Sequence, residues 1–386
     1  MNILHLSSLS LWDMGRGKGH VSKYLPMKGF VDKGHKVYYI TDHPNQKNEN
    51  VDGIVVKKIK TLSGKRPFFK MIMYPIIVLN SLLMGIIFAF KYKPEVIYAH
   101  TVYMAFPAFM LSKLFNTKYV LRLYGVSYQK EIRFKVSYLF LYLAFCFKAD
   151  LYILTNDGTS ANEVALSYGV PDNKICFLKN GINKQWSRNI SDEVLKKQIA
   201  PNGELILLSV SRLVNWKQVD LIIKSLPDLL LLNNKVKLVI VGDGDEKEKL
   251  EKICVDLNVV DYVVFTGAQS QENIKDYMSI ADVFISMNAL SSLSNPVFEA
   301  MICGKTVVAL NKGTTKELIT DKKNGILVEE GEIAKLPEII NDILMNNQKR
   351  EEIGRNAQKY MLEQWPTWEE RVACEVSLIE KLIISQ

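Results

Sequence analysis

A chain of 386 residues and 44.0 kDa has room for two domains. Apolar residues make up 48% and charged residues 23%, the mix of a soluble globular protein, which excludes disorder, collagen and coiled coil as the main architecture. The net charge of +8 is unevenly placed: residues 1–190 carry 26 basic and 11 acidic side chains, a net +15, and residues 191–386 carry 23 and 30, a net −7. Such a basic half suits either its own acidic partner half or an anionic surface such as phospholipid or nucleic acid. The opening MNILHLSSLS has no basic n-region, so no secretory leader is expected. The five cysteines (Cys146, Cys176, Cys254, Cys303, Cys374) are far apart and form no CxxC pair. That speaks against a disulfide scaffold and a zinc site, and fits a reducing cytosol.

In chain order, β-branched and aromatic runs predict strands at 2–7, 36–41, 96–100, 119–123, 151–155 and 174–178. A second set is predicted at 205–211, 237–242, 262–267, 282–286 and 306–310. Helical spacing lies between most of them, and strand–helix alternation implies parallel sheets covered on both faces. The expected fold class is therefore α/β, with two Rossmann-like domains. The polar stretch 187–203, SRNISDEVLKKQIAPNG, reads as the linker.

One segment breaks the alternation. MIMYPIIVLNSLLMGIIFAF (71–90) holds 20 residues without a charge, flanked by Lys65, Arg66 and Lys70 on one side and Lys91 and Lys93 on the other. Its length would span a bilayer. A crossing, however, would put strands of one sheet on opposite sides of the membrane. It reads instead as a buried crossover helix, or as a helix with one face on the sheet and the other in the lipid interface. A second apolar helix, SYLFLYLAFCFK (137–148), lies in the same basic half and favours the interfacial reading.

Ligands of such sheets bind beyond the carboxyl ends of the strands. After the first strand, LWDMGRGKGH (11–20) places Gly15, Gly17 and Gly19 where backbone can approach an anion. The spacing is not GxGxxG, and the only acid near the second strand, Asp42, sits in a TDHPN turn, so no nicotinamide cofactor is expected. In SVSRLVNWKQVD, Arg212 and Lys217 stand just past a strand, five residues apart, which suits a diphosphate. In SSLSNPVFEA, Ser294 or Asn295 caps a helix with Pro296 at its first position, so its dipole and amides suit a phosphate. Glu299 follows one turn in, where a carboxylate can take both hydroxyls of a ribose. All five histidines lie in the first 100 residues: His20 and His100 are loop candidates facing a cleft, and His5 and His35 pack or sit in turns.

Together these pieces resemble the retaining, nucleotide-sugar-dependent group 1 glycosyltransferases of the GT-B fold. The matching segments are the glycine-rich first loop with GHKVYYIT, LRLYG (121–125), ADLYILTNDGT (149–159) and KNGIN (179–183). They continue through SRLVNWKQVD, VGDGDEKEKLE (241–251), FTGAQSQENIKDYMSIADVFIS, NPVFEAMICGKTVVA, NGILV (324–328) and TWEERVACEVSLIEKL (367–382).

The resemblance implies an acceptor-binding domain over 1–190, a donor-binding domain over 200–365 facing it across a cleft, and a helix over 366–386 returning to the first domain. It implies that Arg212 and Lys217 bind the donor diphosphate and neutralise the leaving group. Asn295, Pro296 and Val297 would form the phosphate seat, Glu299 would hold the ribose, Ala268 and Gln269 would border the base, and Gly17 would close on the phosphates. His20, His100, Arg122 and Tyr124 would line the acceptor side. The family's first motif glutamate is Ser291 here, which should change the choice of donor sugar, and the histidine many members carry within RLYG is Tyr124. The expected reaction is retaining, metal-independent and cofactor-free transfer of a sugar, a UDP-sugar favoured, to an acceptor hydroxyl. The acceptor would be lipid-linked, at the cytosolic face of an anionic membrane, in cell-surface polysaccharide synthesis, with no nucleic acid partner. A sugar-nucleotide epimerase or phosphorylase and a catalytically impaired binding subunit are the alternatives.

Overall fold

The strands form where side chains can be buried on both faces of a sheet. VIYAH is buried at every position, as expected of a central parallel strand. A computed structural model describes residues 1–9, 21–43, 46–59, 67–126, 136–188 and 191–384. They divide into two units: Met1–Asn156 with Ser160–Asn180 and Trp368–Gln386, and Asp157–Thr159 with Gly181–Thr367.

In the first unit the chain runs β1 (Asn2–Ser7), α1 (Val21–Asp32), β2 (Lys36–Thr41), β3 (Glu49–Val51), β4 (Ile54–Lys58), α2 (Pro67–Tyr92), β5 (Val96–His100) and α3 (Ala105–Phe115). It continues through β6 (Lys118–Leu123), α4 (Val136–Cys146), β7 (Leu151–Asn156), α5 (Ala161–Ser167) and β8 (Ile175–Lys179). The sheet order is β3-β4-β2-β1-β5-β6-β7-β8, parallel except for the β3–β4 hairpin. One face packs Ile97, Tyr119 and Leu121 with Leu111 and Ala144; the other packs Ile3, Tyr39 and Ile153 with Phe30 and Ile379.

The second unit runs α6 (Glu193–Ile199), β9 (Leu205–Val210), α7 (Val219–Leu232), β10 (Val236–Val241), α8 (Lys247–Asp256), β11 (Val263–Gly267) and α9 (Gln271–Ile280). It continues through β12 (Val283–Ser286), α10 (Asn295–Ile302), β13 (Thr306–Leu310), β14 (Ile326–Val328), α11 (Leu336–Met345) and α12 (Asn347–Gln364). Its parallel sheet has the order β11-β10-β9-β12-β13-β14. The final helix α13 (Trp368–Ile384) clusters with the first unit and packs on α1, where a Cβ at Gly29 would sit 2.2 Å from Val372 Cγ1.

All eleven expected strands form, each within one residue at either end. Three short ones go beyond the expectation. β3 and β4 join at Asp52-Gly53 (φ +49° and +89°), a hairpin turn whose Asp-Gly signal stands in the sequence. β14 lies inside the NGILV motif.

The described residues of 187–203, which are 187–188 and 191–203, do not form a linker. Residues Gly181–Thr367 cluster with the second unit, so the first unit's continuous run ends at Asn180 and not at 190. Ile182 bridges to Thr367, Trp186 is buried, and Asp192 caps α6 through the amides of Val194 and Leu195. The stretch looked like a linker because α6 buries none of its residues fully.

Tyr74–Tyr92 of α2 is long and apolar enough to cross a membrane by length and composition alone. Both its chain neighbours, β4 and β5, lie in one sheet, and a Cβ at Gly85 would meet Leu111 at 2.3 Å, which fixes α2 against α3. Its other face shows Ile76, Leu79, Leu83, Ile87 and Phe90 to solvent, all between 45% and 73% exposed.

Candidate functional site

In the second sheet the strand order reverses between β9 and β12. Such a switch point leaves a crevice at the carboxyl ends of the two strands, where open α/β sheets bind ligands. The chain leaving β9 carries Arg212 and Lys217, and the chain leaving β12 leads through Ser291 into α10. The backbone joins the two loops directly, since Ala289 N donates to Trp216 O at 2.9 Å.

The Arg212 loop is held from below. Ser211 N donates to Val241 O and Leu213 N to Asp243 O, at 3.0 and 2.9 Å. A Cβ at Gly242 would lie 1.8 Å from Ser211 O, and one at Gly244 would lie 2.2 Å from Leu213 O. The GDGD run is therefore a cradle for this loop, and only glycine permits the approach. The Arg212 guanidinium lies 5.7 Å from the centroid of Trp216. Neither Arg212 nor Lys217 makes an ion pair among the described residues. Burial and then the Arg212 charge push Lys217 down to about 8, against the pull of Asp157.

Asp157 is the residue that sequence reasoning missed. It follows β7 but clusters with the second unit. Its carboxylate accepts from Thr159 N and Oγ1, at 3.1 and 2.6 Å, and burial raises its pKa although Lys217 opposes the rise. The signal available was TNDGT, a turn placing an acid at a strand end.

At the start of α10, Ser294 is the N-cap and makes no side-chain cap, and Pro296 fills the first turn. That leaves the cap side chain uncommitted at the positive end of the helix. Val297 is fully buried in the core, so only its backbone can serve a ligand. Glu299 is half-buried; burial lifts its carboxyl to about 7, against a hydrogen bond from Gln271. Ala268 is exposed after β11, and Gln269 donates to Thr266 O at 2.8 Å while accepting from Asn273.

Ser291 differs from expectation. It is buried, its Oγ accepts from Leu293 N at 3.1 Å, and a Cβ at Gly158 would lie 1.9 Å from that Oγ. The side chain is packed beneath Gly158 and Gly313, with no open space for a sugar to meet.

The acceptor-side candidates of the first unit also need correction. His100 is the last residue of β5, not a loop residue, and it is buried. Its Nε2 meets His5 Nδ1 at 2.8 Å and its Nδ1 meets the Tyr124 hydroxyl at 2.7 Å. Burial, with His5, Lys23 and Arg122 nearby, holds it well below the usual histidine range, so it is neutral. Arg122 is 1% exposed and stacks on Tyr124 at 4.7 Å. Its Nε lies 3.9 Å from Glu375, which also pairs with Arg371 at 2.7 Å and accepts from the Tyr98 hydroxyl. Arg122 is thus an internal ion-pair partner, and Tyr124, half-buried, is the member of this group that reaches toward solvent. His20 and Gly17 lie outside the described residues.

Comparison with known proteins agrees with this architecture. The family described as glycosyl transferases group 1 matches residues 191–360, and glycosyltransferase family 4 matches residues 27–186. An uncharacterized glycosyltransferase of Methanocaldococcus jannaschii is 27% identical over 359 residues, 89% of this chain and 88% of that one. A GDP-mannose-dependent alpha-(1-6)-phosphatidylinositol monomannoside mannosyltransferase of Mycolicibacterium smegmatis is 30% identical over 175 residues, 44% of this chain and 46% of that one. Among solved structures, Anabaena HepE in complex with UDP and glucose superposes with a TM-score of 0.75 at 20% identity, over 100% of both chains. Fold and matches define a glycosyltransferase with GT-B architecture. The group 1 match lies in residues 191–360 and the family 4 match in residues 27–186, and the chain is a glycosyltransferase.

Proposed function

We propose that this enzyme moves a hexose from a nucleotide diphosphate sugar to an acceptor hydroxyl, with retention of anomeric configuration and without a metal ion. The observation that carries the donor reading is the pairing of two loops at one switch point. Arg212 and Lys217 on the first loop and the start of α10 on the second are tied by the Ala289–Trp216 bond. Departure of the diphosphate builds negative charge, and cations already in place there lower the barrier without reorganising. Glu299, one turn into α10, is the acceptor for ribose hydroxyls. Retention rests on the resemblance to retaining members of the family. A UDP-sugar is favoured because HepE was solved with UDP and glucose, while the mannosyltransferase relative keeps a GDP-sugar as the competing donor.

The acceptor reading is a lipid-linked hydroxyl met at the cytosolic face of an anionic membrane, in cell-surface polysaccharide synthesis. It is supported by the exposed apolar stripe of α2, by Met110 and Leu114 exposed on α3, and by the net +15 of residues 1–190. The test is product analysis with a panel of UDP- and GDP-sugars and a polyprenyl-linked acceptor, by mass spectrometry for transfer and by anomeric proton coupling for configuration. A new glycosidic bond with the donor's configuration is expected. No transfer and no donor hydrolysis with any nucleotide sugar would overturn the donor reading.

A further inference from the structure

Among the described residues, eight that are not glycine have a positive φ. Seven of them lie between 46° and 59°, the φ of the left-handed helical region, and none of the seven is β-branched. Thr101 is the eighth, at φ +79° and ψ +159°. That backbone region is essentially reserved for glycine, and a β-branched side chain makes it costlier still. The surroundings pin it there. Thr101 N donates to Arg122 O at 3.1 Å, and Thr101 O accepts from Met104 N at 3.3 Å. The residue before it, His100, is clamped between His5 Nδ1 at 2.8 Å and the Tyr124 hydroxyl at 2.7 Å. Strain of this kind gathers at ligand sites, where a side chain has to stand at one spot.

The place is the switch point of the first sheet. β1 and β5 are neighbours, while the chain leaves β1 for β2 on one side and β5 for β6 on the other. Ser7 and His100 end the paired strands side by side, and open α/β sheets bind ligands in the crevice beyond such ends. Thr101 is the first residue out of β5 there. Its Oγ1 is covered, has no hydrogen-bond partner and does not cap the turn that follows. A covered hydroxyl without a partner is rare in a folded protein. The residue as a whole is half-buried, so rotation about χ1 exchanges its methyl and its hydroxyl at the surface. The neighbours offer little free charge. His100 is neutral, Tyr124 keeps its proton, and Arg122 is answered by Glu375. Lys23, over the ring of Tyr39, is pushed by burial down to about 7. A neutral hydroxyl matches such surroundings better than a phosphate does.

We propose that Thr101 binds the acceptor: its hydroxyl bonds a neutral hydroxyl of the acceptor sugar, and the strained backbone fixes where that bond is made. The proposal rests on the acceptor part of the function above and names the group recognised there.

Three variants separate the hydroxyl from the strain. Thr101→Val keeps the branch and the strain and loses the hydroxyl. Thr101→Ser keeps the hydroxyl. Thr101→Gly removes hydroxyl and strain together. Transfer from UDP-glucose and GDP-mannose is measured with polyprenyl-linked glucose and octyl glucoside as acceptor probes. Thr101→Val and Thr101→Gly should each raise the acceptor KM roughly 10-fold, with kcat less affected. Thr101→Ser should keep most of the acceptor affinity. The denaturation midpoint of Thr101→Gly should not fall, since glycine adopts this φ freely. An unchanged acceptor KM in Thr101→Val would overturn the proposal, and so would a Thr101→Gly protein that unfolds earlier than the unaltered one. UDP affinity, read by calorimetry, checks the side of the reaction: a loss in Thr101→Val as large as its loss of transfer would move the residue to the donor and overturn the proposal as well. If the unaltered protein hydrolyses either donor and transfers to neither probe, the acceptor assignment falls and the donor reading stands.

Discussion

Arg122 and Arg212 both belong to the carboxyl-end regions of parallel strands, and the fold treats them in opposite ways. Arg122 is sealed inside the first unit between Tyr124 and Glu375, with Arg371 sharing the same carboxylate. Burial alone would raise the Glu375 carboxyl, but Arg371 and Arg122 together hold it below its usual range. Arg212 is exposed, backed only by Trp216, and without an acid within ion-pair distance among the described residues. A cation already neutralised by its own chain cements the core. A cation left uncompensated on a braced loop is available to a ligand. Residue type alone does not separate the two; the partner does.

The sharpest way to break this comparison is to remove each arginine in turn. Arg122→Ala leaves buried charge without its counterpart and should destabilise the first unit by about 3–5 kcal/mol, read by denaturant unfolding. Arg212→Ala should leave stability nearly unchanged and lower sugar transfer by roughly 10²–10³. A stable Arg122→Ala enzyme with impaired transfer would instead make Arg122 part of the reaction.

The next contrast lies within the second unit, between Ser291 and its exposed neighbours. Ser291→Glu has no space beneath Gly158 and Gly313 and should cost about 1–3 kcal/mol through overpacking. The ranking of donor sugars should stay the same for the fraction that folds. A stable variant with a new donor preference would return Ser291 to the sugar site.

The smallest expected effect is on pH dependence. Glu299, raised to about 7, is ionised mainly above that value, and Lys217, lowered to about 8, keeps its charge mainly below that one. Transfer, as kcat/KM, should rise through pH 7, fall above pH 8, and span about a decade across either limb. Glu299→Gln should flatten the acid limb and leave the alkaline one. A profile flat from pH 6 to 9 would take both groups out of donor binding.

The sequence made the donor loops legible because their chemistry is local. Arg212 and Lys217 share one loop, and Glu299 stands one turn into a helix whose proline announces its start. Strands were legible for a similar reason: burial on both faces writes continuous apolar runs. The burial of Ser291 was not legible, since the residues that cover it, Gly158 and Gly313, are far away in the chain. Arg122 and His100 looked like site residues for the same reason: their partners, Glu375 and His5, come from distant elements. The β3–β4 hairpin was legible in principle, from Asp52-Gly53 between alternating residues, but its strands are short and half-exposed.

The return of α13 to the first unit has a consequence for how the protein is made. During synthesis β1 to β8 emerge first, but Arg122 waits for Glu375 and Gly29 waits for Val372. Almost the whole second unit is translated in between, which takes roughly 10–40 s at about 5–20 residues per second. For that interval the nascent first sheet carries an uncompensated arginine and an uncovered groove on α1. The second unit, nearly continuous in sequence, can finish first, and the enzyme's oldest residues are the last to reach their final packing.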